Sequence, residues 1–113
     1  MKIIIAGSRS ISDYEILKTA IALSGFEIST VVSGHARGVD YLGELWARKN
    51  KIPVQIFLPD WNTYGKSAGI RRNIEMAKNA DGLIALWDGR SKGTEHMIRI
   101  AKDYKLKVYV SQP

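Results

Sequence analysis

The sequence predicts an α/β fold: a Rossmann-like, doubly wound sheet of five parallel strands in the order 3-2-1-4-5, with helices on both faces. Three observations lead there. Short β-branched runs alternate with longer runs of helical period along the whole chain. The strand runs are apolar nearly throughout, as expected for parallel strands covered on both sides. Right-handed crossovers then make 3-2-1-4-5 the plainest order, with its switch point between strands 1 and 4. At 113 residues the chain reads as one domain over 1–113.

Each element has its own signal. Lys2 to Ala6 carries an apolar run that ends at Gly7. Ser12 and Glu15 stand at capping-box spacing, and Ile16, Leu17, Ala20 and Leu23 line one helical face until Gly25 stops it. Glu27 to Ser33 is the second strand. Val39, Leu42 and Trp46 form the second helical stripe, which runs out in Arg48-Lys49-Asn50-Lys51, cations suited to a helix C-terminus. Pro53 to Leu58 is the third strand, and Ile70, Ile74 and Ala77 mark the third helix. Gly82 to Trp87, then Met97, Ala101 and Tyr104, then Lys107 to Val110 supply the last strand, helix and strand. No repeat, low-complexity tract or linker interrupts this alternation.

Composition narrows the function classes. The formal net charge is +6 and the pI near 9.7, which favours anionic partners: nucleic acid, nucleotides or phosphates. The absence of cysteine excludes a disulfide framework, thiolate catalysis and zinc–thiolate sites, and fits a cytoplasmic location. No apolar stretch is long enough to cross a bilayer, Met-Lys-Ile-Ile-Ile-Ala reads as a strand rather than a leader, and no membrane partner is expected. His35 and His96 have no metal-ligand neighbours, and no G-x-S-x-G elbow is present, so neither metal nor cofactor is expected.

Ligands of doubly wound sheets bind at the carboxyl ends of the strands. The residues there are Gly7-Ser8-Arg9, Ser33-Gly34-His35-Ala36-Arg37-Gly38, Asp60 to Lys66 and Asp88 to Thr94. In the second of these, glycines permit close approach, the helix start offers N–H groups, and Arg37 could clamp an anion. A tight turn with a solvated arginine would read the same way. The fourth repeats the logic with Asp88, Ser91, Lys92, Gly93 and Thr94, although Ser91 or Thr94 alone could be an N-cap. Arg72 and Asn73 follow a loop with Trp61, Tyr64 and Lys66, a grouping that suits a base or ribose beside its phosphate. Asp40, Glu44 and Arg48 recur every four residues and read as a solvated ion-pair face, with Asp40 near enough to the loop to be an exception.

Taken in order, Gly7-Ser8-Arg9, VVSGHARGVD, Asp60-Trp61, Tyr64-Gly65-Lys66, Ala68-Gly69, Arg72-Asn73 and SKGT resemble the YspA/YpsA-related branch of the SLOG superfamily. That superfamily also holds the LOG phosphoribohydrolases and the DNA-processing protein DprA. The resemblance implies a Rossmann-like fold that binds a nucleotide or nucleotide-derived ligand. By resemblance to LOG enzymes, Arg72 takes the place of their helix arginine, and Gly93-Thr94 match their Gly-Thr. Their catalytic glutamate falls on Met97, with Glu95 close by, and spacing does not choose among Glu95, Asp88 and Asp40 as a replacement carboxylate. Arg72 and Glu95 are therefore the catalytic candidates for N-glycosidic hydrolysis, beside a reading of pure binding. Ser33 to Asp40 also match the S-G-x-A-R-G-I-D segment of DprA, so a single-stranded nucleic-acid-binding module is the alternative. Pairing of LOG enzymes through helices implies a homodimer.

Overall fold

Ile3, Ile4 and Ile5 are fully buried on one strand, and successive strand residues face opposite sides, so both sides of the sheet must be covered. The computed structural model describes residues 1–113. Along the chain run β1 (Lys2–Gly7), α1 (Tyr14–Ser24), β2 (Thr30–Ser33), α2 (Val39–Lys49), β3 (Val54–Ile56), α3 (Trp61–Tyr64), α4 (Ala68–Lys78), β4 (Gly82–Leu86), α5 (Lys92–Asp103) and β5 (Lys107–Ser111). The strands are all parallel and ordered β3-β2-β1-β4-β5, as the sequence predicts.

Two apolar layers follow from the alternation. Ile3, Ile5, Val31, Ile84 and Leu86 pack with Leu17 and Ala20 of α1 and with Val39, Leu42 and Ala47 of α2. Ile4, Ala6, Val32, Leu83 and Ala85 pack with Met76 and Ala77 of α4 and with Met97, Ile98 and Ala101 of α5. Met97, the position matched to the LOG glutamate, is thus a core side chain.

Local chemistry shifts several boundaries. Asp13, not Ser12, caps α1, because its carboxylate accepts the Glu15 N–H at 2.9 Å. β2 begins at Thr30, since the residues before it are tied to the chain start, with Ser29 N–H donating to the Met1 carbonyl at 2.9 Å. A short helix, α3, forms where the sequence reads as loop, started by the Asp60 carboxylate accepting the Thr63 N–H at 3.1 Å. On α4 the buried stripe is Ala68, Asn73, Met76 and Ala77, whereas Ile70 is exposed. Leu23 and Tyr104 are likewise exposed rather than part of the core.

Candidate functional site

The register Ala6↔Ala85 and Gly7↔Leu86 brings the carboxyl ends of β1 and β4 side by side, at the switch point. Beyond them lies a cleft of about 380 Å³ whose walls come from β1, α2, α3, α4 and α5. Of the residues singled out from the sequence, it gathers Gly7, Arg9, Asp40, Trp61, Lys66, Arg72, Asn73, Ser91, Lys92, Gly93 and Thr94.

The β4 side is built by caps. Asp88 accepts the Arg90 and Ser91 N–H groups, both at 2.8 Å, and these bonds lower its pKa to about 2. Ser8 accepts the Asp88 N–H at 3.0 Å, joining the β1 loop to this turn. Ser91 then caps α5, its hydroxyl accepting from Thr94 N–H at 3.3 Å and its carbonyl from Glu95 N–H at 3.1 Å. The amides of Lys92 and Gly93, first in α5, have no acceptor within the helix. They border the cleft at the positive end of the helix dipole.

The β2 side is ordered by Arg72. Its Nη1 donates to the Gly34 carbonyl at 2.7 Å and its Nε to Asn73 Oδ1 at 3.1 Å. A Cβ on Gly34 would stand 2.7 Å from Arg72 Nη1 and 3.0 Å from Asp40 Oδ2, so a side chain there would push the guanidinium from its place. Gly38 is required for a second reason: its φ is +79°, and a Cβ would lie 2.7 Å from the Ser8 carbonyl. Asp40 is only 5% exposed and accepts the Ala36 N–H at 3.3 Å. Burial raises its pKa, against the lowering effects of that bond and the Arg72 charge. Burial also lowers the Arg72 pKa, opposed by Asp40 and reinforced by Arg9.

The stripe read as a solvated ion-pair face is not one. Asp40 and Glu44 are both buried, and only Arg48 is exposed. Glu44, 3% exposed, accepts from the Ser33 hydroxyl at 2.7 Å and meets His35 Nδ1 at 2.9 Å. This pairing holds His35 at a φ of 59°, a conformation that non-glycine residues seldom adopt. His35, Arg37, Gly38 and Tyr41 border a separate groove of about 420 Å³ on the outer side of the loop, so Arg37 and Arg72 serve different surfaces.

Other residues stand apart from the cleft. Tyr64 faces a groove beside β3, where the Arg71 guanidinium lies 4.3 Å from its ring centroid. Glu95 is on the exposed side of α5, 4.0 Å from Arg99. The four ion pairs of the chain are Lys18–Glu15, His35–Glu44, Lys78–Glu75 and Arg99–Glu95. None of Arg9, Lys66, Arg72 and Lys92 in the cleft belongs to these pairs; Asp40 is the one acidic residue lining it, and its charge reaches Arg72. The cleft also holds Gly69, Ile70 and His96, which the sequence does not mark as site residues. The available signal was Asn73, a polar residue on the inward stripe of α4 that bonds His96 at 3.1 Å.

The model of the YspA, cpYpsA-related SLOG family matches residues 1–64. The Gene 61 protein of Mycobacterium phage D29 is 36% identical over 111 residues, covering 89% of this chain and 88% of that protein. Among solved structures, DNA processing protein A (DprA) from Streptococcus pneumoniae is similar with a TM-score of 0.75 at 20% identity. That likeness is one of fold; it covers 96% of this chain and 49% of DprA, so the chain spans about half of that protein's length. The family match over the β1 loop and the Ser33–Asp40 turn agrees with the motifs read from the sequence: the chain belongs to the YspA, cpYpsA-related SLOG family.

Proposed function

We propose that the cleft binds a nucleotide or nucleotide-derived ligand, its phosphate against the first turn of α5 and its base toward Trp61. One observation carries this reading. Four cations outside the chain's ion pairs, Arg9, Lys66, Arg72 and Lys92, share a cleft with a single carboxylate, Asp40, and with the acceptor-free amides of Lys92 and Gly93. Cations gathered in one cleft with a helix N-terminus favour a bound anion over an empty cleft. Trp61, 56% exposed at the rim, offers an aromatic face to a base.

Calorimetry against nucleoside monophosphates and ADP-ribose derivatives tests the reading. Binding is expected, and Arg72→Ala should weaken it by about tenfold or more, the worth of a charged hydrogen bond. No heat and no thermal shift from any of these at millimolar concentration would overturn it.

Hydrolysis of an N-glycosidic bond needs a carboxylate near C1′ to stabilise positive charge or hold the attacking water. Asp40 lines the cleft, while Glu95 and Asp88 stand outside it. A hydrolytic role would therefore use Asp40, in a cleft where Arg72 also binds the phosphoribosyl group. Release of free base from nucleoside monophosphates, abolished in Asp40→Asn, is the assay; no release by the parent protein leaves the cleft a binding site.

Binding of single-stranded nucleic acid is the second reading, favoured by exposed Trp61 and Tyr64 beside Lys66 and Arg71. The fold likeness to a DNA processing protein is in keeping with it. Such binding would fall steeply with salt and be competed by a mononucleotide.

A further inference from the structure

We propose that Asn73 fixes His96 as a neutral imidazole protonated at Nε2, and that His96 presents this N–H to an uncharged acceptor of the cleft ligand, a base ring nitrogen or a ribose hydroxyl. The tautomer half stands on the protein alone; the ligand half rests on the nucleotide reading above.

The hydrogen-bond chain determines the tautomer. A guanidinium only donates, so the Asn73 atom 3.1 Å from Arg72 Nε must be the amide oxygen. Arg72 cannot turn away freely, because its Nη1 is held by the Gly34 carbonyl at 2.7 Å. The other end of the Asn73 amide is then NH2, and it lies 3.1 Å from His96 Nδ1. A donor facing Nδ1 requires a lone pair there, which leaves the proton on Nε2. An imidazolium would set N–H against N–H. Asn73 is 7% exposed, so water does not readily replace the lost bond.

The surroundings act in the same direction. Arg9, Lys66, Arg72 and Lys92 line the cleft with His96, and Asp40 is the only carboxylate among the lining residues. On its own helix, Glu95 is paired with Arg99. Burial, and then the Arg99 charge, lower the pKa of His96 from its ordinary value. With Nδ1 turned to Asn73, Nε2 is the nitrogen left for a ligand. The cations and free amides lining the cleft suit a phosphate, so a neutral donor here suits an uncharged acceptor.

Nitrogen–proton correlation spectra of the imidazole rings test the first half on the unliganded protein at neutral pH. The expected pattern for His96 is a pyridine-like Nδ1 and a protonated Nε2. A protonated Nδ1, or a charged ring, overturns the lock. Asn73→Asp supplies a carboxylate at the same place and should raise the His96 titration midpoint by about one unit or more. For the ligand half, adenosine 5′-monophosphate and ribose 5-phosphate are titrated in parallel. His96→Ala should weaken the mononucleotide about three- to tenfold, and His96→Gln, with an amide N–H in place of Nε2–H, should restore most of the loss. A loss confined to the mononucleotide identifies the base as acceptor; a loss with both identifies the ribose. Unchanged affinity for both in His96→Ala overturns the ligand half. Failure of the parent protein to bind either compound removes that half together with the nucleotide reading, while the tautomer result stands.

Discussion

Asp40 shows how a buried carboxyl lining the candidate cleft weighs against stability. Its carboxyl is buried, with a pKa above the ordinary value of 3.8, so the folded chain holds the proton to higher pH than the unfolded chain does. The sign follows from linkage: stability linked to Asp40 is fully present below the unfolded value and is lost as pH rises through the folded one. Asp40→Asn removes the charge and keeps the shape. It should be more stable than the parent at pH 8, by an amount of order 1 kcal/mol, with the difference shrinking toward zero near pH 3. Thermal unfolding across pH measures this; an equal difference at both ends would mean that the carboxylate charge is not the cause. The same residue shows what sequence reading missed. Spacing places Asp40 and Glu44 on one helical face but does not say which way the face turns. Glu44 finds its partners in Ser33 and His35, at the end of a strand and in the following turn, and only the fold brings them together.

At the scale of elements, the loops after β1, β2 and β4 were legible because each needs residue types that the fold alone rarely asks for together. The cap-forming Asp88 and Ser91 and the close-approach Gly34 are of this kind. α3 was hidden, since four residues are too few for a periodic signal, and on α4 the exposure of Ile70 shifts the buried face to Ala68, Asn73, Met76 and Ala77, which keeps only Ala77 of the expected stripe. Gly93 differs from Gly34 and Gly38. A Cβ added there meets nothing within 4 Å, so neither packing nor backbone conformation of the protein explains a glycine in the first turn of a helix. The space it leaves belongs to the cleft. Gly93→Ala should therefore stabilise the fold, by up to about 1 kcal/mol from helix propensity, and at the same time weaken mononucleotide binding. Denaturant unfolding and calorimetry on one preparation check both signs. A stabilised variant with full affinity would show that no ligand approaches this face of α5.

For the whole molecule, strand order and the place of the candidate cleft were readable together, because a parallel sheet buried on both faces leaves apolar strands and confines polar chemistry to one edge. The distribution of charge was not readable. The chain carries a net +6, yet none of its four ion pairs includes Arg9, Lys66, Arg72 or Lys92, the cations lining the switch-point cleft. Arg9 and Arg72 repel each other in the folded state, and all four groups are dispersed in the unfolded chain. A ligand that binds only the folded form raises stability by mass action, by about 2.7 kcal/mol at a hundredfold excess over its dissociation constant. Inorganic phosphate should therefore raise the melting temperature more than chloride at equal ionic strength, since screening is then matched and only site occupancy differs. Sulfate should behave similarly, and the advantage of either anion should shrink in Lys92→Ala and Arg72→Ala. Arg48→Ala on the far end of α2 serves as the control, because it removes one positive charge outside the cleft. An equal loss in all three variants would mean that the anion effect reflects net charge, whereas a loss confined to the cleft variants locates it at the carboxyl edge of β1 and β4.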